Sequence, residues 1–281
     1  MRLGDAAVPL ATRQVGAVEV VAVAPLADAL AAQVARHGSL HAWAGTVPQR
    51  RTLMGRAPVH VAPLPGTDAV VAVRHAWHGG LLAPLTRDRF LRPSRAPHEL
   101  RQSAALRAAG IPSTEVLGFA RTALPLWRCT VDVVSRYEPA SRDLGAVLAG
   151  EADAVASPEA GDGANTPLAA AVAPAFTTVD ALAATGRLLR QLTVAGVVHP
   201  DLNVKNVLLR RPAAGGCEAL LIDVDVVRWT PHRRPQRVLA ATLGRLTHSM
   251  RRQRERYGSG LAPAAVTDFE RAVREAHADV G

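Results

Sequence analysis

One short segment of the chain combines the residue types that phosphoryl transfer requires. His199, Asp201 and Asn206 follow one another in the pattern H-x-D-x-x-x-x-N, and the apolar residues Val207 to Leu209 come directly after it. Transfer of a phosphoryl group to a hydroxyl needs a carboxylate that orients the hydroxyl and accepts its proton, together with oxygen ligands for Mg²⁺. We therefore predict Asp201 as the catalytic base and Asn206 as a metal ligand.

A second acidic motif follows at the end of another apolar stretch. Residues 220–222 are apolar, and Asp223 and Asp225 come directly after them. A carboxylate at the end of a buried strand is held rigidly, and its hard oxygens suit Mg²⁺. We predict Asp223 as the second metal ligand. Asp225 fits two interpretations equally well: a metal or substrate carboxylate, or a residue that holds the following loop.

The H-x-D-x-x-x-x-N motif alone also has an ordinary structural explanation, in which His199 caps a strand and Asn206 lies in a turn. The two motifs in this order, each at a strand edge, are more specific than either one. Asn203 and Lys205, which lie between Asp201 and Asn206, are further candidates for contact with the transferred phosphate or the acceptor. For Lys205, a simple exposed side chain is an equal alternative.

The elements that must position these residues divide into a strand-rich first part and a helix-rich second part. That order is typical of an α+β protein with two lobes. The predicted strands lie at 18–23, 69–74, 116–121, 126–134, 207–209 and 220–222. In the strand at 126–134, Trp127, Cys129, Val131 and Val133 fall on one face. One predicted helix follows Pro25, a second spans 95–109, a third starts at Thr177, and the region after Gln236 is also predicted to be helical.

We expect three segments along the chain. Residues 1–45 form an N-terminal extension of uncertain role, 46–137 an N-lobe with nucleotide-binding strands and a helix, and 138–281 a C-lobe. Within the C-lobe, residues from about 150 to 174 are rich in Ala, Gly, Pro and Ser, and their charges are all acidic. That composition predicts a flexible insertion.

The two motifs resemble a known family. The pattern H-x-D-L-N-x-x-N at His199–Asn206, followed by L-I-D-x-D at Leu221–Asp225, is similar to the 3-deoxy-manno-octulosonic acid (Kdo) kinases, which phosphorylate inner-core sugars of lipopolysaccharide. Asn203 and Asp225 stand where Ser/Thr protein kinases carry Lys and Gly. Upstream similarity to the family lies in Val73–Leu81, Asp88–Leu91, His98–Leu100 and Gly110–Pro112, so that the resemblance covers roughly 54 to 255 without the insertion.

The resemblance implies a bilobal protein-kinase-like fold with ATP and Mg²⁺ between the lobes. It implies that Gly55 and Arg56 form the phosphate-covering turn, although this segment has only one glycine and an ordinary strand turn fits it equally well. It also implies that Arg74 contacts the nucleotide phosphates and that Glu99, on the following helix, is its ion-pair partner. A solvated charge on a helix face is the alternative for Glu99.

The charge of the chain favours an anionic partner. The formal net charge is +9, from 33 basic and 24 acidic residues, and such a surface attracts phosphate-bearing groups. Because aromatic residues for base stacking are few, nucleic acid is not the expected partner. No secretory signal or transmembrane stretch is apparent. Arginines are frequent near the C-terminus, where a solvated helix face is the alternative to a lipid-binding surface: Arg233, Arg234, Arg237, Arg245, Arg251, Arg252, Arg254 and Arg256.

By the resemblance, the chain is expected to be an ATP- and Mg²⁺-dependent phosphotransferase with an alcohol group as acceptor, acting on a lipid-linked Kdo or related sugar. The expected location is the cytoplasmic face of the inner membrane, held peripherally by the basic C-lobe. Two alternatives stay open: another small-molecule kinase, such as a heptose kinase or an antibiotic phosphotransferase, and a pseudokinase that binds a partner or lipid. Nucleotide binding with and without Mg²⁺ separates an enzyme from a pseudokinase.

Overall fold

The computed structural model describes residues 9–53, 57–77, 88, 90–91, 94–150, 176–257 and 261–278. The chain divides into two compact units. Unit 1 comprises the described residues up to Ala104 together with Glu115–Tyr137. Unit 2 comprises Ala105–Thr114 and the described residues from Glu138 onwards. The segment Ala105–Thr114 joins unit 2 because Leu221 donates its N–H to the Pro112 carbonyl at 2.9 Å and accepts the Thr114 N–H at 3.0 Å.

Unit 1 is built on one antiparallel sheet. Its described strands have the order β1-β2-β7-β8-β5-β4-β3, and the short β6 also pairs with β8. The strands are β1 (Leu10–Val15), β2 (Val18–Val23), β3 (Arg51–Leu53), β4 (Val59–Pro63), β5 (Val70–His75), β6 (Phe90–Leu91), β7 (Val116–Leu124) and β8 (Arg128–Arg136).

Alternating side chains bury one face of this sheet under two helices, α1 (Ala24–His37) and α2 (Leu40–Thr46). In β2 the buried positions are Val18, Val20 and Ala22, which is the period of two expected for a strand with one covered face. Leu30 of α1 and Trp43 of α2 belong to the same buried cluster. A third helix of unit 1, α3 (Ala96–Ala108), follows β6 and extends into unit 2.

The predicted strand at 18–23 and the helix after Pro25 are confirmed as β2 and α1. Residues 10–37, which the sequence sets apart as an N-terminal extension, supply two strands of the sheet and a covering helix in unit 1. The predicted limits of the domains at 45 and 137 stay a prediction.

Unit 2 is mainly helical, with two small sheets ordered β12-β11-β9 and β10-β13. Helix α5 buries Leu188, Leu189 and Leu192 and packs against α6 and β12. The elements are β9 (Arg142–Asp143), α4 (Leu144–Leu148), α5 (Thr178–Val194), β10 (Val197–Val198), β11 (Val207–Arg210), β12 (Glu218–Leu221), β13 (Arg228–Trp229), α6 (Pro235–Tyr257) and α7 (Pro263–Ala276), with 3₁₀ turns at Val204–Asn206 and Val224–Val226.

The turn between α5 and β10 requires glycine. Gly196 has a φ of +66°, and a Cβ there would lie 3.0 Å from the Thr230 carbonyl oxygen. A side chain at this position would be both strained and crowded. Gly196 therefore lets β10 pair closely with β13, directly before the loop that carries His199 and Asp201.

The predicted α+β class is confirmed, with the large sheet in the first part of the chain and most helices in the second. The predicted strands at 207–209 and 220–222 are confirmed as β11 and β12, which pair with each other. The predicted helix start at Thr177 is also confirmed, since Thr177 Oγ1 accepts the Asp180 N–H at 3.0 Å. One side chain differs: Trp127 lies in the turn before β8, with a φ of 57° and 82% exposure, whereas Cys129, Val131 and Val133 are buried.

Two predicted segments cannot be compared with the structure. Residues 151–174 of the predicted insertion lie outside the described residues, and so do Gly55 and Arg56.

In the part of the chain that the structure does describe, no helix has the length and apolar character needed to span a bilayer.

Candidate active site

The loop after β10 is shaped by its own asparagines. The carbonyl oxygen of Asp201 accepts two hydrogen bonds, from Asn206 Nδ2 at 2.9 Å and from Asn203 Nδ2 at 3.0 Å. Asn203 Oδ1 in turn accepts the Lys205 N–H at 2.9 Å, which caps the 3₁₀ turn. These bonds fix the backbone beneath the exposed Asp201 side chain. Because the amide nitrogen of Asn206 donates to the loop backbone, its Oδ1 is the atom that can serve as an oxygen ligand.

His199 joins this loop to the second acidic motif. The ring is fully buried, and Nε2 donates a hydrogen bond to the Asp223 carbonyl oxygen at 3.1 Å. Burial lowers the pKa of His199, which favours the neutral ring with its proton on Nε2. The N–H of Ile222 adds a second link, to the Asn206 carbonyl oxygen at 3.1 Å. The two predicted metal ligands are therefore held by one hydrogen-bonded framework.

Asp223 has an unusual backbone for a residue other than glycine. Its φ of 60° and ψ of 49° place it in the left-handed region, where Asp and Asn are the most tolerated of the side-chain-bearing residues. Such a conformation costs of the order of 1–3 kcal/mol and is common at functional sites. The turn directs the chain away from β12 and leaves Asp223 exposed, whereas Asp225 is half-buried in the next 3₁₀ turn.

Helix α6 supports the loop from below. Ser249 Oγ accepts the Val204 N–H at 3.2 Å, and Val204 and Leu202 are buried. One turn further along α6, Gln253 Nε2 donates to the Gly145 carbonyl oxygen in α4 at 2.7 Å. The candidate base therefore lies on a loop whose backbone is anchored to a long helix, which limits its positional freedom.

In unit 1, Arg74 and Glu99 form an ion pair. Arg74 Nη2 lies 2.5 Å from Glu99 Oε1 and 2.6 Å from Oε2. The Glu99 side chain is 8% exposed and that of Arg74 is 38% exposed. Glu99 is therefore a buried partner of the strand arginine, and the alternative of a solvated charge on the helix face does not describe it. The pair fixes the guanidinium at the C-terminal end of β5.

A histidine cluster in unit 1 was missed by the sequence reasoning. Asp132 Oδ1 lies 2.6 Å from His75 Nδ1, and Asp132 Oδ2 accepts the His41 N–H at 3.0 Å. Asp88 Oδ2 lies 3.2 Å from His75 Nε2, and the rings of His41 and His60 have centroids 4.6 Å apart. The hydrogen bond to Asp132 raises the pKa of His75, whereas burial lowers the pKa of His60.

The only sequence signal for this cluster is the strand register. His75 and Asp132 lie opposite each other in β5 and β8, and such cross-strand pairs interact directly. A correct pairing of these two strands would have predicted the contact. The side chains share the end of β5 with Arg74, one residue earlier.

The oxygen atoms of the two candidate metal ligands are chemically suited to Mg²⁺. Mg²⁺ is commonly held by one or two carboxylates together with substrate phosphates and water, and not by an all-protein cage. Asn206 Oδ1 and the Asp223 carboxylate are hard oxygen donors of this kind. Among the described residues, no group of three or more His, Cys, Asp or Glu side chains could hold a metal ion.

Part of the chain is similar to a known protein family. Residues 166–274 match the model of the lipopolysaccharide kinase (Kdo/WaaP) family, and this segment contains Asp201, Asn206 and Asp223. The predicted resemblance to that family is therefore confirmed over this segment. The matched segment comprises 109 of the 281 residues of the chain.

The chain is also similar to a solved structure, "WaaP in complex with acyl carrier protein". The sequence identity is 15% and the TM-score 0.43, over 82% of this chain and 83% of that chain. A comparison with curated proteins found no match.

Proposed function

We propose that the chain is an ATP- and Mg²⁺-dependent kinase that phosphorylates a hydroxyl of an inner-core Kdo sugar, or a related sugar, on lipopolysaccharide. The observation that carries the proposal is the framework around His199, which ties the Asp201 loop to the Asp223 turn. Phosphoryl transfer depends mostly on positioning and electrostatic stabilisation. A rigid loop with exposed carboxylates is suited to that task.

In this proposal Asp201 binds the acceptor hydroxyl and accepts its proton. The hydroxyl oxygen then forms a bond to the γ-phosphorus of ATP while the bond to the ADP oxygen breaks. Asn206 Oδ1 and the Asp223 carboxylate would hold Mg²⁺, which when bound neutralises charge on the phosphates. The exposure of the Asp201 side chain allows access by an acceptor sugar that is attached to a larger lipid.

On the nucleotide side, Arg74 would contact the phosphates of ATP. Its guanidinium carries a permanent charge and a fork of donors that matches phosphate oxygens. The buried Glu99 carboxylate orients the guanidinium and compensates its charge before the nucleotide arrives. Gly55 and Arg56 stay predictions for the turn that covers the phosphates.

We also propose that the enzyme works peripherally at the cytoplasmic face of the inner membrane. Exposed arginines around and along α6 support this location, since each basic residue near an anionic membrane contributes about 1 kcal/mol of attraction. Arginines of this kind that the structure shows as exposed are Arg233, Arg234, Arg237, Arg245, Arg251 and Arg252.

The test is transfer of a radiolabelled γ-phosphate from Mg²⁺-ATP to Kdo-bearing lipid A, with Asp201→Asn as the matched variant. Asn keeps the shape of the side chain but removes the base, so we expect at least a hundredfold loss of label with intact folding and nucleotide binding. Equal turnover by the variant would rule out Asp201 as the base. Mg²⁺-dependent ATP binding without labelled lipid would move the search to other sugars, and no ATP binding would favour a pseudokinase.

A further inference from the structure

Helix α6 presents two arginines beside its contact with the catalytic loop. Ser249 makes that contact, through its bond to the Val204 N–H. Residues three and four positions apart on a helix are neighbours on one face, with Cβ atoms about 5–6 Å apart. Arg245 precedes Ser249 by four residues and Arg252 follows it by three. Both arginines therefore flank the anchoring point of the loop, and both are exposed.

Lys205 adds a third cation from the loop itself. It follows Val204 directly, and its side chain is exposed. Asn203 is occupied by its bonds to the loop backbone, so Lys205 is better placed than Asn203 to reach a bound acceptor.

In the described parts of the chain, no carboxylate lies within 4.0 Å of the Lys205, Arg245 or Arg252 charged groups. By contrast, the neighbouring Arg251 pairs with Glu270 at 3.0 Å. Positive charges gathered on one side of a helix repel each other unless an anion lies between or above them.

We propose that Lys205, Arg245 and Arg252 form an anion subsite of the acceptor site, which binds an oxyanion of the sugar substrate while its hydroxyl lies against Asp201. The inference rests on the proposed kinase function, because Asp201 defines where the hydroxyl sits. Guanidinium groups bind carboxylate or phosphate through paired hydrogen bonds. A sugar acid such as Kdo carries a carboxylate, and its lipid carries phosphates, so both sources share the chemistry of this subsite.

The first arm of the test uses the wild-type protein and three acceptors: Kdo-bearing lipid A, the same lipid with the Kdo carboxylate converted to a neutral methyl ester, and the same lipid without its lipid A phosphates. We expect the KM of one altered acceptor to rise about tenfold, which identifies the oxyanion that is bound. Equal KM values for all three acceptors would overturn the subsite, and this arm does not depend on any variant folding.

The second arm uses the double variant Arg245→Ala/Arg252→Ala. We expect its KM for the natural acceptor to rise about tenfold, while kcat and the KM for ATP change less than about twofold. With the altered acceptor that lacks the bound oxyanion, variant and wild type should become equal. An unchanged KM for the natural acceptor would overturn the proposal, and so would an equal loss on all acceptors.

A matched control separates local recognition from loss of net charge. Arg36→Ala/Arg101→Ala removes the same charge from exposed positions in unit 1, and its KM for the acceptor should match the wild type. A control variant that loses as much as the α6 variant would assign the effect to general charge. Failure of the kinase proposal itself is distinguishable, because wild-type protein would then transfer no label to any acceptor.

Discussion

Two regions of the molecule, the end of β5 in unit 1 and the loop after β10 in unit 2, differ in how their polar groups are paired. In unit 1 the charged side chains satisfy one another: Arg74 with Glu99, and Asp132 with His75 and the N-terminus of α2. In unit 2 the polar side chains of the loop bond mainly to backbone, and the carboxylates of Asp201 and Asp223 are exposed. The Arg74 charge in unit 1 is thus already paired, whereas the loop after β10 in unit 2 leaves two carboxylates exposed, which the proposed function assigns to the acceptor hydroxyl and to Mg²⁺.

The largest expected effect concerns the exposed Asp223 carboxylate in unit 2. Asp223→Gly keeps a residue that tolerates the left-handed backbone but removes the carboxylate. We expect phosphoryl transfer to fall at least a hundredfold, together with loss of Mg²⁺-dependent nucleotide binding, while stability in urea unfolding stays equal or rises. Asp223→Ala should lose the same activity but be less stable than Asp223→Gly by about 1 kcal/mol, because alanine is strained there. Transfer that survives in both variants would contradict the ligand assignment.

A smaller effect concerns the ion pair of Arg74 and Glu99 in unit 1. Glu99→Gln keeps the shape of the side chain and removes its charge. We expect the free energy of unfolding to fall by about 1–3 kcal/mol, since the loss of one partner leaves a partly buried cation, and the KM for ATP to rise with little change in the KM for the acceptor. Urea unfolding and steady-state kinetics measure both. An unchanged KM for ATP would show that the pair only stabilises unit 1.

The smallest effect concerns the pH dependence of stability. The pKa of His75 is raised above its ordinary value, by the hydrogen bond to Asp132 first and by Asp88 as well. The folded state therefore binds this proton more tightly than the unfolded state does. The resulting contribution to the free energy of unfolding is full below the unfolded pKa of about 6.5 and is lost as pH rises through the folded pKa.

Asp132→Asn removes the main cause of that shift. We expect its destabilisation relative to wild type, of the order of 1 kcal/mol, to be larger at pH 5.5 than at pH 9 in urea unfolding. The comparison between the two proteins cancels the opposite contributions of His60 and His199, whose pKa values are lowered by burial. A destabilisation that does not change with pH would assign Asp132 to packing and to the cap on His41 alone.

Local patterns predicted much of the fold and the loop, because they depend on short stretches of chain. The hairpin of β11 and β12, the helix start at Thr177 and the order of strands before helices all follow from apolar periodicity and turn residues. The prediction that Trp127 lies on the face of the strand was wrong for a local reason, since a turn with positive φ takes this residue out of the strand. The pairing of Arg74 with Glu99 followed from the family resemblance and not from periodicity.

Contacts across long stretches of sequence were not predictable in the same way. The bond from His41 to Asp132 joins residues 91 positions apart, and only the pairing of β5 with β8 and the packing of α2 bring them together. Ser249 reaches Val204 across 45 positions. The side of α6 that faces the loop, and with it the placement of Arg245 and Arg252, depends on tertiary packing that a single sequence does not encode in any local pattern.

The buried ring of His199 has a consequence for how the site would open. Its bond to Asp223, and the bond from Ile222 to Asn206, make the two halves of the candidate site one cooperative unit, in which neither half loosens alone. Local opening would therefore release the base and both metal ligands in a single event. In hydrogen exchange, the amides of Asn206 and Ile222 should become exposed at the same rate, and catalytic competence would be all or none in each molecule.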